Sequence, residues 1–144
     1  MDIGIREAVL SDAAFIFMLN GQLGYSASLQ EVESSLSKLL SLQDHCIYVA
    51  EAEGRVVAWI HAFRACRIES GIYSEIAGLV VDQAFRKLRI GRMLVGQVAE
   101  WSLHHRIKTL RVRCHVKREE AHRFYDRLGF DFLKEQKVFQ KELE

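Results

Sequence analysis

The stretch richest in chemistry is Glu75–Gly91, EIAGLVVDQAFRKLRIG. An apolar run ends in a short loop bearing Arg86, Lys87 and Arg89. A helical pattern then begins at Ile90, with Gly91 and Arg92 in its first turn. The first N–H groups of a helix have no internal partner and carry the positive end of its dipole. A strand ending at such a place, beside cations and a glycine that lets the backbone come close, suits an anion such as a phosphate group. Taken alone, the same pattern also describes a plain solvated helix start. The histidines offer less. His104, His105, His115 and His122 share no metal-ligand spacing with a carboxylate or cysteine and read as surface residues. His61 alternates with Trp59 and Phe63, the register of a satisfied strand histidine rather than a base. No metal is expected.

These residues must be positioned by one domain, residues 1–144, because two cores from 144 residues would each be too small to stand unaided. The composition, 49% apolar and 27% charged with no proline, is globular and excludes disordered or fibrous chains. No apolar run approaches membrane-spanning length, and residues 1–10, MDIGIREAVL, lack a secretory pattern. Cys46, Cys66 and Cys114 are odd in number and widely spaced, so they read as buried reduced thiols of a cytoplasmic protein.

Charge is unevenly spread behind a net +1. Residues 1–85 hold 5 Lys/Arg against 11 Asp/Glu, whereas residues 86–127 hold 12 against 4. Two faces meeting partners of opposite sign would produce this, as would cations that merely solvate helix and strand surfaces. Arg111, Arg113 and His115 alternate along one strand face and offer contacts to phosphates, yet aromatic interleaving is absent, so no nucleic-acid partner is expected.

The expected order is β-α-α-β-β-β-α-β-α-β-β, a mixed, mostly antiparallel α/β sheet flanked by helices. Ile3 and Ile5 mark the first strand; Ser11 is placed to cap the first helix, which Gly21 and Gly24 break. Ser28 and Glu31 form a capping box for the second helix. Cys46–Glu51 and Val56–Arg67 form a hairpin about Glu53-Gly54, and Ile72–Val81 is the next strand. Ile90, Met93, Leu94, Val98 and Trp101 mark the third helix, Leu110–His115 a strand, and Ala121–Leu128 the last helix, ended by Gly129. Phe130–Leu133 and Lys137–Leu143 read as two closing strands.

Residues 121–130, AHRFYDRLGF, match A-x-x-F-Y-x-x-x-G-F. With LVVDQAFRKLRIG and the element order, the chain resembles the GNAT superfamily of N-acetyltransferases. The resemblance implies a GNAT-like acyl-CoA N-acyltransferase fold and acetyl-CoA as acyl donor. The family loop reads Q/R-x-x-G-x-G/A; here Arg86 fills the first position, Gly91 the last, and Arg89 stands where the middle glycine belongs. The resemblance assigns the pyrophosphate to Arg86, Lys87, Leu88, Arg89, Ile90, Gly91 and Arg92, and the pantetheine arm to the backbone of Leu79, Val80 and Val81. Gly78 fits a bulge that splays this strand from its neighbour. Arg118 stands where the family often has asparagine.

An amine must lose a proton to attack a thioester, and the departing thiolate is helped by gaining one. The resemblance gives Tyr125 the acid role and Glu75, four residues before Leu79, the base role, with Glu69 and Tyr73 in reserve. A core aromatic and a strand-end carboxylate are the plainer readings of Tyr125 and Glu75. The acidic first half suits a cationic primary amine, small or peptidyl, as acceptor. The family resemblance also admits a homodimer. The alternative is a GNAT-fold module that binds acyl-CoA or a partner with little catalysis.

Overall fold

A computed structural model describes residues 2–87 and 89–144. Two compact units divide the chain, one running to Val112 and one from Arg113 to Glu144. The first holds β1 (Gly4–Glu7), α1 (Ala13–Gln22), α2 (Leu29–Leu40), β2 (His45–Ala52), β3 (Arg55–Arg67), β4 (Gly71–Val81), α3 (Ile90–His104) and β5 (Leu110–Val112). The second holds α4 (Glu119–Arg127). Sheet order is β1-β2-β3-β4-β5; the first three pairings are antiparallel and β4–β5 is parallel. That single parallel pair needs a crossover, which α3 supplies. The expected mixed, mostly antiparallel sheet flanked by helices is thus present.

Local signals act as read at several points. Ser28 Oγ accepts from Glu31 N–H at 3.1 Å and Glu31 Oε1 from Ser28 N–H at 2.9 Å, closing the capping box. Glu53 and Gly54 both have positive φ (+54° and +77°), the two-residue turn that matches strand twist. On one face of the sheet, Ile16 and Leu19 of α1 and Val32 and Leu36 of α2 pack with Ile47, Val49, Val80 and Trp59. The other face carries α3, where Ser102 Oγ donates to Ser74 Oγ at 2.7 Å in a buried pair.

Five readings are corrected. The cap before α1 is Asp12, not Ser11. A short 3-10 turn, Leu10–Asp12, precedes the helix, and Val9 N–H donates to Asp12 Oδ2 at 2.8 Å. Arg6 draws Asp12 in at 2.8 Å while also pairing with Glu51. Burial opposes ionisation of Asp12, but the Arg6 guanidinium and the Val9 N–H outweigh it and hold the carboxyl below its usual range. α1 also runs through Gly21, because one glycine costs about 1 kcal/mol and the buried Ile16 and Leu19 anchor the helix; Gly24, at φ +77°, follows its end.

The two closing strands do not form: residues 130–144 carry no helix or strand. A lone pair of short strands is marginal without a third, and α4 is the only element of that unit. Phe132, Leu133, Val138 and Phe139 consequently stand exposed. β5 likewise stops at Val112, short of His115. Of the three free cysteines only Cys46 is buried; Cys66 is exposed and Cys114 half-buried. Burial pushes the Cys46 thiol up to about 12, which leaves it unreactive.

Among the described residues no helix is long and apolar enough to cross a membrane.

Candidate active site

β4 runs regularly against β3 from Gly71 to Ile76, then slips. Ala62 pairs with Ile76 but His61 pairs with Gly78, so Ala77 is an extra residue on β4. A bulge of this kind reverses the alternation beyond it. Glu75 therefore shares a face with Gly78 and Val80, opposite Phe63, His61 and Trp59, while Leu79 pairs with Ile60 and shares the face of Ser74. Plain alternation would have put Glu75 and Leu79 on the same side. Pairing with β5 covers only Ser74–Ile76. Beyond the bulge, Leu79–Val81 has β3 on one side and, among the described residues, no strand on the other. Alternate backbone N–H and C=O groups on that edge are open to a ligand.

The bulge falls where the glycine was expected, for a reason of space. A Cβ on Gly78 would stand 2.6 Å from Trp59 Cη2. Trp59 Nε1 donates to Asn20 Oδ1 at 3.0 Å, which ties the ring to α1.

After β4 a short 3-10 turn, Gln83–Phe85, leads to Arg86. Lys87 and Arg89 then both take left-handed backbone, φ +69° and +62°. Arg89 is the residue that precedes α3, where a glycine would sit without strain. Ile90 and Gly91 are buried, while Arg86, Lys87, Arg89 and Arg92 are exposed. The turn thus presents four cations about the N–H groups that open a 15-residue helix. Leu88 lies outside the described residues.

Glu75 is buried at 9% exposure, with Arg111 its register neighbour on β5. Glu69 is exposed in the β3–β4 turn, so of the two carboxylates considered for the base Glu75 alone is buried. Tyr73, two residues before Glu75, is fully buried; its hydroxyl accepts from Arg67 Nε at 2.5 Å, and Arg111 stands over its ring. His61 meets His45 through Nε2 and Nδ1 at 2.9 Å, so one ring carries the shared proton. Burial, reinforced by His45, pulls His61 down to about 4. It behaves as the locally satisfied strand histidine its alternation suggested. His104, His105, His115 and His122 are all exposed. Among the described residues no group of three or more His, Cys, Asp or Glu could hold a metal ion.

In the second unit, α4 carries Tyr125 half-buried, edge-on to Phe124 at 4.9 Å and to Phe130 at 5.3 Å. Gly129 at φ +90° turns the chain, and Phe130 N–H donates to the Tyr125 carbonyl at 3.0 Å. The A-x-x-F-Y-x-x-x-G-F pattern is therefore a helix end folded back on its own tyrosine. Arg118 precedes α4 as an exposed helix-start residue with no side-chain cap bond.

The contacts among Arg67, Tyr73 and Arg111, and that of Asn20 with Trp59, had no signal in sequence spacing. The first depends on the register of β3, β4 and β5, the second on the packing of α1 against β3.

A sequence model of the Acetyltransferase (GNAT) family matches residues 15–130, and the chain belongs to that family. Its class is that of the N-acetyltransferases. The aminoglycoside N-acetyltransferase AAC(6')-Iy, solved in complex with CoA, superposes with a TM-score of 0.90 at 15% identity, covering 99% of this chain and 96% of that one. An aminoglycoside 6'-N-acetyltransferase from Acinetobacter baumannii gives 0.87 at 16% identity, covering 99% and 100%. Glucosamine-6-phosphate N-acetyltransferase from Arabidopsis thaliana gives 0.84 at 23% identity, covering 99% and 100%. These likenesses establish the fold. No curated protein matches the chain by sequence.

Proposed function

We propose that residues 1–144 act as one domain that transfers an acetyl group from acetyl-CoA to a primary amine, small or peptidyl. The observation that carries this reading is the open β4 edge at Leu79–Val81, which leads into a turn of four cations at the start of α3. The residues fit acetyl-CoA. An extended arm with its own amides can pair with a strand edge. A pyrophosphate is suited to the N–H groups of Ile90, Gly91 and Arg92 and to the charge of Arg86, Lys87, Arg89 and Arg92. The solved relative with bound CoA supports the donor.

When bound, acetyl-CoA supplies an acetyl group activated as a thioester. Glu75 attracts the acceptor ammonium and takes a proton from its nitrogen. Tyr125 gives its phenolic proton to the departing sulfur as the C–N bond forms and the C–S bond breaks, then regains a proton from solvent. Relatives named for aminoglycosides and for glucosamine-6-phosphate support an amine acceptor. Arg89, left-handed where the family pattern has glycine, favours a second reading: a module that binds acyl-CoA with little turnover.

Thiol release from acetyl-CoA over a panel of amines separates the two. Glu75→Gln and Tyr125→Phe should each lower kcat by about 10²-fold with little change in acetyl-CoA affinity. Unchanged rates in both variants would remove these residues from the chemistry. Tight acetyl-CoA binding without thiol release to any amine would favour the binding module.

A further inference from the structure

Helix α1, AAFIFMLNGQ, carries no charged residue. Its inner side, Ala13, Ile16 and Leu19, is buried. Its outer side is apolar as well. Leu10 in the turn before the helix, Phe17 and Met18 on it, and Tyr25 just beyond are between 38% and 64% exposed. Ala14 and Gly21, which lie among them, are exposed too. A surface helix ordinarily turns a polar side to water, and one that is apolar all round is covered on both sides. Gly21 is a second, separate observation. Glycine weakens a helix interior, and a Cβ at Gly21 would meet nothing within 4 Å. No neighbour among the described residues therefore calls for glycine there. A second backbone approaching closely would.

We infer that the outer face of α1 is a homodimer interface, in which two copies of this chain pack antiparallel through α1. The exposed positions 10, 14, 17, 18, 21 and 25 form a set symmetric about the point between Phe17 and Met18. A twofold interface must be complementary to itself, and an axis at that point makes this one so. Leu10 then faces the partner's Tyr25, Ala14 faces the partner's Gly21, and Phe17 faces the partner's Met18. Small residues opposite each other at two places bring the axes to the near end of the usual 8–10 Å. With no charge on the helix, no charge meets its own copy across the axis. The face offers roughly 500 Å² on each copy and about 1,000 Å² for the pair, where specific interfaces begin. The inference stands apart from the acetyl-transfer reading. It bears on the same site, because the inner side of α1 holds Trp59 through Asn20 and the Gln83 N–H through Gln22 Oε1 at 3.0 Å.

Sedimentation velocity of the full chain over a micromolar concentration series should show a dimer. Phe17→Glu and Met18→Glu each set two carboxylates near the axis and should leave monomers. Both residues are exposed in the single chain, so circular-dichroism melts of these monomers should still be cooperative. Gly21→Leu separates packing from folding. Its side chain has open space in one copy, so the monomer should melt no lower than wild type. It blocks the close approach of two copies, so the dimer Kd should rise by about tenfold or more. In a Cys66→Ser background, Ala14→Cys chains mixed with Gly21→Cys chains should oxidise to a mixed disulfide, and neither should link to itself. A monomeric wild type throughout the series would overturn the inference. So would a dimer whose Kd is unchanged in Phe17→Glu, Met18→Glu and Gly21→Leu, because association would then run through another surface, such as the exposed apolar residues 132–143. Self-links in place of the mixed disulfide would overturn the antiparallel pairing.

Discussion

The indole of Trp59 lies so close over Gly78 that a methyl group there would meet Cη2 at 2.6 Å and Cζ3 at 2.9 Å. Trp59 is not free to swing away, because its N–H is held by Asn20 of α1. The pair couples the α1 face of the sheet to the bulge that opens the β4 edge. Gly78→Ala should destabilise the protein by about 1–3 kcal/mol and change tryptophan fluorescence as the ring loses Asn20. Trp59→Phe removes the offending ring, so the double variant should lose less than the sum of the singles. Additive losses in denaturant melts would contradict this account of the glycine.

His61 sets a pH dependence. Its folded value, about 4, lies below the ordinary 6.5, so the unfolded chain binds the proton more readily. Stability should be level above pH 6.5, fall as pH drops toward 4, and flatten below. The groups around it are His45, in direct contact, and Phe63, against His45. The protein should be about 2 kcal/mol less stable at pH 5 than at pH 7, and His61→Gln should remove most of that slope. Urea melts at the two pH values give the answer; an undiminished slope in the variant would place its origin elsewhere.

Arg89 holds left-handed backbone at φ +62°. Arg89→Gly relieves strain of about 1 kcal/mol and should raise the melting temperature. It also removes one of four cations from the turn, so acetyl-CoA should bind more weakly at low salt and lose less of its affinity as salt rises. A lower melting temperature for the glycine variant would show that the arginine side chain stabilises the turn by more than the backbone costs.

Most of the architecture was legible because its signals are local. The capping box at Ser28 and Glu31, the Glu53-Gly54 turn and the Gly129 cap each act within a few residues, and the helical stripes need only their own spacing. What was misread depends on distant partners. Asp12 rather than Ser11 stands at the start of α1, and its carboxylate is spent on Arg6 and on the Val9 N–H rather than on the helix. The alternation in residues 130–143 looks like strand but lacks a third strand within its unit. Along β4, the single extra residue Ala77 moves Glu75 to the face opposite Leu79, which no count of intervening residues reveals. The cluster of Arg67, Tyr73 and Arg111 depends on the register of three strands in the same way.

The central claim is that the β4 edge and the cationic turn hold acetyl-CoA, and thermal unfolding with and without saturating acetyl-CoA tests it most directly. At about 100 times the dissociation constant, binding should add roughly 2.7 kcal/mol, on the order of 5–10 °C in Tm for a chain of this size. A shift of that size, reduced by Arg89→Gly at low salt, is the predicted result. An unchanged Tm at millimolar acetyl-CoA would contradict the account.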